Sequence, residues 1–210
     1  MLQLTIKKNG FDSFQNNIFE ISNNHLIEFE KIINDNSLKI RNDDVSVLSE
    51  FKDYPNLLEV KKKIFDIFKF NKFDNLEFED VWIQKNYKDK YIKNELPNIP
   101  HIDKIRKIKV MIYLNTITKM NGPIHVYKVD PNDYEKIRLN LKDDYKKRKE
   151  NAIKDLDKNN FLACVGPIGT SVFFDTNSPH FAGELKDKKG IRKSLRFNFI
   201  KKKSFFDELF

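Results

Sequence analysis

Two of the chain's four histidines stand in surroundings suited to metal chemistry. His101 occurs in Pro100-His101-Ile102-Asp103, just ahead of the apolar run Val110-Met111-Ile112-Tyr113-Leu114. In an extended segment residues two apart project to the same side, so the imidazole of His101 and the carboxylate of Asp103 can reach one ion together. A single His-x-Asp is common by chance, and it gains weight from two motifs nearer the C-terminus. His180 lies in Ser178-Pro179-His180-Phe181-Ala182-Gly183, and twelve residues later Arg192-Lys193-Ser194 opens an alternating stretch that runs to Phe199. The order is therefore His-x-Asp, several strands, His, then Arg-x-Ser. Of the other two histidines, His25 falls in a helical pattern and reads as structural or exposed. His125 sits on a strand from which it contacts a substrate or serves the structure.

Elements of the right kind surround these residues. From about residue 76 the apolar pattern has period 2, which marks strands at 77–87, 107–115, 123–128, 161–166, 170–175 and 191–200. Asn121-Gly122-Pro123, Gly166-Pro167-Ile168-Gly169 and Lys189-Gly190 supply turns between them. Short strands joined in this way indicate a β-sandwich or barrel. Residues 1–75 form a mixed, mostly helical flank. Ile18–Ile21 reads as a short strand, a helix over about 24–35 follows the capping residues Ser22-Asn23-Asn24, and a second helix runs from Pro55 to about Phe70. Residues 131–159 read as a charged helical insertion with few apolar positions, either a solvated excursion between strands or a lid. The tail 201–210 is apolar enough to dock on the helices or on a second copy. The length fits a single domain, with 76–200 as its core.

Composition narrows the class of protein. An apolar fraction of 40% with 13% aromatic residues supports a packed core, which excludes a disordered chain. No apolar run approaches the length of a membrane span, and the first residues carry no secretory pattern. The lone Cys164 rules out an intramolecular disulfide and a multi-cysteine zinc site, so a reduced, cytoplasmic location is expected. The net charge of +8 favours anionic partners. The lysines are nevertheless spread along the whole chain beside Asp and Glu, without an Arg-rich tract or a repeated aromatic-basic pattern, which makes nucleic acid an unlikely partner. Lys104, Arg106, Lys107 and Lys109 flank the His-x-Asp motif and read as a solvated face or as attraction for an anionic substrate.

Taken together, Pro-His-Ile-Asp at 100–103, Lys-Val-Met-Ile-Tyr-Leu-Asn at 109–115, Asn-Gly-Pro-Ile-His-Val-Tyr at 121–127, Gly-Thr-Ser-Val-Phe-Phe-Asp at 169–175 with Pro-His at 179–180, and Arg-Lys-Ser-Leu-Arg-Phe-Asn-Phe at 192–199 resemble the Fe(II)/2-oxoglutarate-dependent dioxygenases. Within them the stretch is similar to the phytanoyl-CoA dioxygenase and prolyl-hydroxylase-like groups. The resemblance covers about residues 79–200. It implies a double-stranded β-helix, the cupin-like jelly roll, with flanking helices. It also implies an oxidoreductase that uses Fe(II), 2-oxoglutarate and O2 to hydroxylate a small-molecule or conjugate substrate, with release of succinate and CO2. The implied metal ligands are His101, Asp103 and His180, which are also the catalytic residues. Two imidazoles and one carboxylate on one face of Fe(II) leave further coordination positions open. The presence of Asp103 speaks for hydroxylation or desaturation over halogenation. For the far carboxylate of the co-substrate the resemblance points to the fork of Arg192 with the hydroxyl of Ser194, and Arg196 on the same face is the other choice. Tyr113 and Gln84, with Asn86, are further co-substrate or substrate contacts. The chain lacks the Pro-Gly-Ser-His turn usual after Asn-Gly-Pro in the phytanoyl-CoA-like group, which argues against an acyl-CoA substrate. The alternative to an enzyme is a non-catalytic metal-binding jelly-roll module.

Overall fold

The computed structural model describes residues 2–38, 45–73, 75–87, 96–140, 151–187 and 190–202. Nine strands form two antiparallel sheets that face one another. They are β1 (Phe11–Phe14), β2 (Val45–Leu48), β3 (Leu76–Tyr87), β4 (Lys107–Tyr113), β5 (Ile124–Tyr127), β6 (Phe161–Cys164), β7 (Ser171–Asp175), β8 (His180–Ala182) and β9 (Ile191–Lys201). The major sheet has the order β1-β7-β4-β9-β3-β2 and the minor sheet the order β6-β5-β8. This is a double-stranded β-helix, in agreement with the period-2 pattern and the resemblance.

The major sheet separates two kinds of interior. Its outer face carries Val81, Ile83, Ile108, Val110, Ile112, Phe173, Leu195, Phe197 and Phe199, all buried under the helices. Helix α2 (Asn23–Asn34) offers Phe29, Ile32 and Ile33 to this layer, and helix α3 (Pro55–Phe70) offers Leu57, Val60, Ile64 and Phe68, one apolar stripe each. The Phe68 ring meets Phe199 edge-on at 4.9 Å between centroids and Phe173 at 6.2 Å. The helix starts are satisfied locally. Glu28 of α2 accepts hydrogen bonds from the backbone N–H of Asn56 and Leu57, at 3.4 and 3.1 Å, in the first turn of α3. His25 accepts from the Ser22 N–H at the start of its own helix, which settles it as a structural residue.

The inner face of the same sheet has a different character. Cross-strand register sets Asp80, Trp82, Gln84 and Asn86 of β3 opposite Asn198, Arg196, Ser194 and Arg192 of β9. On the other side of β9, Asn198, Arg196 and Ser194 face Lys109, Met111 and Tyr113 of β4. A bulge between Phe78 and Asp80 makes this possible, because it moves the β3 residues after Phe78 to the opposite face from a simple alternation. Strand β9 thus turns its apolar residues outward to the helices and its polar ones into the space between the sheets. Only the β7 side of that space is apolar, with Val172 and Phe174 packed against Met111, Ile124 and Val126.

Three features depart from the sequence pattern. Ile18–Ile21 is a turn, not a strand, with Asn17 and Glu20 at positive φ and Phe19 fully buried beneath it. Burial of Phe19 under α3 explains the apolar signal. Strands β1, β2 and β8 carry too few residues to show a period of their own. Among its described residues the insertion is helical in a short turn at Pro131–Tyr134, in α4 (Glu135–Asn140) and in a single 3-10 turn that begins at Lys158. Residues 141–150 lie outside the described part, and so do residues 203–210 of the tail. From Asn151 to Ile153 the chain runs antiparallel to Pro100–Ile102.

Candidate metal centre

Backbone pairing brings the two distant histidines side by side. His101 forms an isolated bridge with His180, its N–H donating to the His180 carbonyl at 3.1 Å and the reverse bond measuring 2.9 Å. His101 so acts as a one-residue extension of the minor sheet beyond β8. On its other side it bridges Ala152, while Ile102 N–H donates to Asn151 O and Ile153 N–H donates to Pro100 O. The Asn151 side chain adds a bond to Ile102 O at 2.7 Å. The returning insertion therefore clamps the His-x-Asp motif. Asp103 is fixed by its own N–H, which donates to Thr176 O at 3.0 Å in the loop that leads to His180.

The side chains then converge. One ligand atom from each of His101, Asp103 and His180 lies within 4.8 Å of the others. Asp103 Oδ1 stands 3.9 Å from His101 Nε2 and 3.6 Å from His180 Nε2. Each imidazole engages a backbone carbonyl through Nδ1, His101 with Ile99 O at 2.8 Å and His180 with Ser178 O at 2.9 Å. A carbonyl only accepts, so the proton belongs on Nδ1 and the Nε2 lone pair points into the cluster, as a metal ligand requires. Burial lowers the pKa of both histidines, that of His180 to about 3, with the neighbouring His101 adding to the effect. Burial alone would raise the Asp103 carboxyl, but Lys109, His180 and His101 together hold it well below its ordinary value. Two neutral imidazoles and one ionised carboxylate are the donor set that a divalent first-row metal takes.

No protein-family model matches the chain, and no curated protein matches it in sequence. Solved structures do. EvdO2 from Micromonospora carbonacea var. aurantiaca superposes with a TM-score of 0.65 at 15% identity, covering 93% of this chain and 88% of that one, and it has also been crystallised with 2-oxoglutarate. The non-heme α-ketoglutarate-dependent carbocyclase SnoK of nogalamycin biosynthesis gives 0.62 at 14% identity, over 93% and 81% of the two chains. The epimerase SnoN, in complex with Fe3+, α-ketoglutarate and nogalamycin RO, gives 0.59 at 10% identity, over 93% and 80%. The chain has the fold of these 2-oxoglutarate-dependent enzymes.

The remaining residues singled out in the sequence fall into two groups. Arg192 is buried on the inner face of β9. Its Nε and Nη2 donate to Asn86 Oδ1 at 3.3 and 3.2 Å, and Nη1 donates to Gly122 O. Gly122, at φ +67 with the Gly183 carbonyl 2.6 Å from where a Cβ would stand, has room for no side chain there. Three of the guanidinium's five N–H groups are thus used, and the second N–H of each terminal nitrogen stays open. Among the described residues no carboxylate pairs with it. Ser194 lies two residues along the same face with its Oγ buried and without a partner. Gln84 shares that surface, directly across from Ser194. These groups fit the far carboxylate of a 2-oxo acid. Tyr113 does not act in the expected way. Its hydroxyl donates to Cys164 O at 2.8 Å and accepts from Ile124 N at 3.1 Å, so its one proton is already given to the backbone and none is left for a co-substrate carboxylate. His125 points out of the cavity, stacked on Phe181 at 4.4 Å, with Nδ1 on Pro123 O. The basic run beside the motif is mostly paired: Arg106 forks onto Asp175, Lys107 meets Glu79, and Lys109 turns inward to Asp103.

Lys109 is the residue whose role the sequence did not disclose. Its Nζ lies 2.5 Å from Asp103 Oδ2, so it occupies the carboxylate oxygen that faces away from the histidines. The available signal was its parity with Met111 and Tyr113 on β4, which puts it on the inner face. The cations just before it, Lys104, Arg106 and Lys107, masked that signal.

Proposed function

We propose that the protein is an Fe(II)- and 2-oxoglutarate-dependent dioxygenase that hydroxylates a small-molecule substrate. One observation carries this reading: the cluster of His101, Asp103 and His180, with both Nε2 atoms freed by locked Nδ1 bonds, faces the same space between the sheets as Arg192, which has no carboxylate partner among the described residues, and the orphaned Ser194 hydroxyl. A buried guanidinium without an anion is costly, and a dicarboxylate that also reaches the metal would remove that cost. When bound, the metal with a 2-oxo acid and O2 supplies an oxidant for unactivated C–H bonds and releases succinate and CO2.

The chain's own contribution is placement. His101, Asp103 and His180 would hold the ion through one ligand atom each. Arg192 and Ser194 hold the co-substrate by its far carboxylate and so direct its 2-oxo acid end to the metal. Lys109 keeps Asp103 ionised and holds its Oδ2, which would leave Oδ1 for the metal. Val172, Phe174 and Met111 keep water from that side of the cavity. The carbocyclase and epimerase activities belong to SnoK and SnoN; for this chain the carboxylate of Asp103 supports hydroxylation or desaturation over halogenation. The test is succinate formation from 2-oxoglutarate with Fe(II) and ascorbate, alongside calorimetric binding of 2-oxoglutarate to the Mn(II)-loaded protein. Turnover that His180→Ala abolishes supports the reading. Metal binding without any 2-oxoglutarate binding would favour the non-catalytic module instead.

A further inference from the structure

The inner face of β9 carries a second guanidinium, and it is not accounted for by the co-substrate. Arg196 lies over the ring of Trp82, its cross-strand partner, with its central carbon 4.1 Å from the ring centroid. Its Nε is buried without a hydrogen-bond partner, and the same holds for the indole Nε1 of Trp82. Two donors on one cross-strand pair therefore have no acceptor. Among the described residues Arg196 makes no ion pair within 4 Å. The carboxylates near enough to act on it are Asp103 and Asp80, and both are committed. Asp103 gives one oxygen to Lys109 and the other to the histidine cluster, while Asp80 accepts from the Asn198 side chain. A half-buried guanidinium whose Nε is buried without an acceptor, beside a second open donor, calls for an anion.

That anion is a different one from the co-substrate's. Arg192 and Arg196 are four residues apart on one strand, about 13 Å between their backbones at ~3.3 Å per residue. Arg192 bonds to Asn86 and to Gly122 O, whereas Arg196 lies over Trp82 and acts on His101 and Asp103, although Arg192 also acts on Arg196. The two forks thus serve opposite ends of the cavity, Arg196 the end at the metal ligands. Charge points the same way. Lys109, Arg192 and Arg196 face the cavity against Asp103 and Asp80, which leaves one positive charge in excess. A divalent metal and a dianionic co-substrate cancel each other, so the excess stands until one more single anion enters.

We infer that Arg196, with the Trp82 indole N–H beside it, is the anchor for a carboxylate on the primary substrate, which is therefore a small monocarboxylic acid. This rests on the dioxygenase reading for the two other ligands, but its test does not need turnover. Trp82 is the chain's one tryptophan, so its fluorescence reports on this site alone. Acetate, benzoate and phenylacetate are titrated against the metal-free protein and against the protein loaded with Mn(II) and 2-oxoglutarate, with acetamide, benzamide and phenylacetamide as neutral matches. The expected result is a saturable change with at least one acid and none with its amide. Binding should be about tenfold or more weaker in Arg196→Met, the loss of a charge-assisted pair, and partly kept in Arg196→Lys. Calorimetry on Arg196→Met should show 2-oxoglutarate affinity close to that of the wild type, which also shows that the variant is folded. Acid and amide acting alike, or acid binding unchanged in Arg196→Met, overturns the inference. So does loss of 2-oxoglutarate binding in Arg196→Met with Arg192→Met unaffected, because Arg196 would then be the co-substrate fork. Failure of the wild type to bind 2-oxoglutarate would instead sink the dioxygenase reading, and the Trp82 response of the metal-free protein would still decide for or against the carboxylate anchor.

Discussion

At the scale of single residues, the centre is a problem in placing charge out of water. The Asp103 carboxylate, 22% exposed, is paired with the Lys109 ammonium, and removing one partner of a largely buried pair leaves the other uncompensated. Lys109→Met should therefore lower the stability of the metal-free protein by about 3–5 kcal/mol. A divalent ion can take over the cationic role, so Mn(II) should recover a larger share of melting temperature in the variant than in the wild type, as thermal denaturation with and without metal would show. Arg192 is open to a plainer test. An ammonium cannot hold a carboxylate through two parallel bonds, so Arg192→Lys should weaken 2-oxoglutarate binding about tenfold or more while Mn(II) binding persists. Equal affinity would remove Arg192 from the co-substrate site. The histidines set the response to acid. His180 has its pKa pushed from 6.5 down to about 3, and His101 moves in the same direction. Below 6.5 the unfolded chain takes up protons that the folded one refuses. The stability of the metal-free protein is thus complete above 6.5 and declines as the pH falls toward 3. His180→Gln should make that decline shallower in melting curves taken across the range.

At the scale of elements, the returning part of the insertion matters more than its charge suggested. Asn151 to Ile153 pair with Pro100, His101 and Ile102, so the metal motif is held between β8 on one side and the insertion on the other. Asn151→Ala should cost about 1–3 kcal/mol, because the Ile102 carbonyl loses a buried donor. It should also weaken metal binding, since His101 and Asp103 flank that carbonyl. Loss of stability with unchanged Mn(II) affinity would show that the clamp serves the fold alone. A period-3.6 or period-2 search does not find such a segment. Its order comes from backbone bonds to a distant stretch of chain, and those bonds leave no mark on side-chain type.

For the whole molecule, the two sheets must be held at a fixed separation or the halves of the site drift apart. His180 belongs to the minor sheet, Arg192 and Ser194 to the major one. Tyr113 spans the gap, rooted in β4 and bonded to Cys164 of β6 and Ile124 of β5. Tyr113→Phe should destabilise the protein by about 1–3 kcal/mol by stranding the Ile124 N–H, yet leave 2-oxoglutarate affinity unchanged in calorimetry. A large loss of affinity with little change in melting temperature would restore Tyr113 as a co-substrate contact. No helix among the described residues is long and apolar enough to cross a membrane, and the helices instead cover the outer face of the major sheet.

By itself the sequence determined the parts with strong local signatures. Helix α3 starts at Pro55 and ends at Phe70 as its stripe indicated, and six of the strands lie where period 2 placed them. The order of His101, Asp103, His180, Arg192 and Ser194 was also visible, because His and Arg are scarce in this chain and stand at a meaningful spacing from Asp103 and Ser194. Only the tertiary structure decided which residues share the cavity with them. The bulge after Phe78 turned Trp82, Gln84 and Asn86 inward, cross-strand register put Arg196 on Trp82, and an inward turn gave Lys109 to Asp103. The Tyr113 hydroxyl was taken up by backbone groups of the facing sheet, and His125 was turned to the other side of its strand. Periodicity reports which side of an element a residue occupies. What that side faces depends on the pairing of strands that lie tens of residues apart, and that pairing is a property of the folded chain.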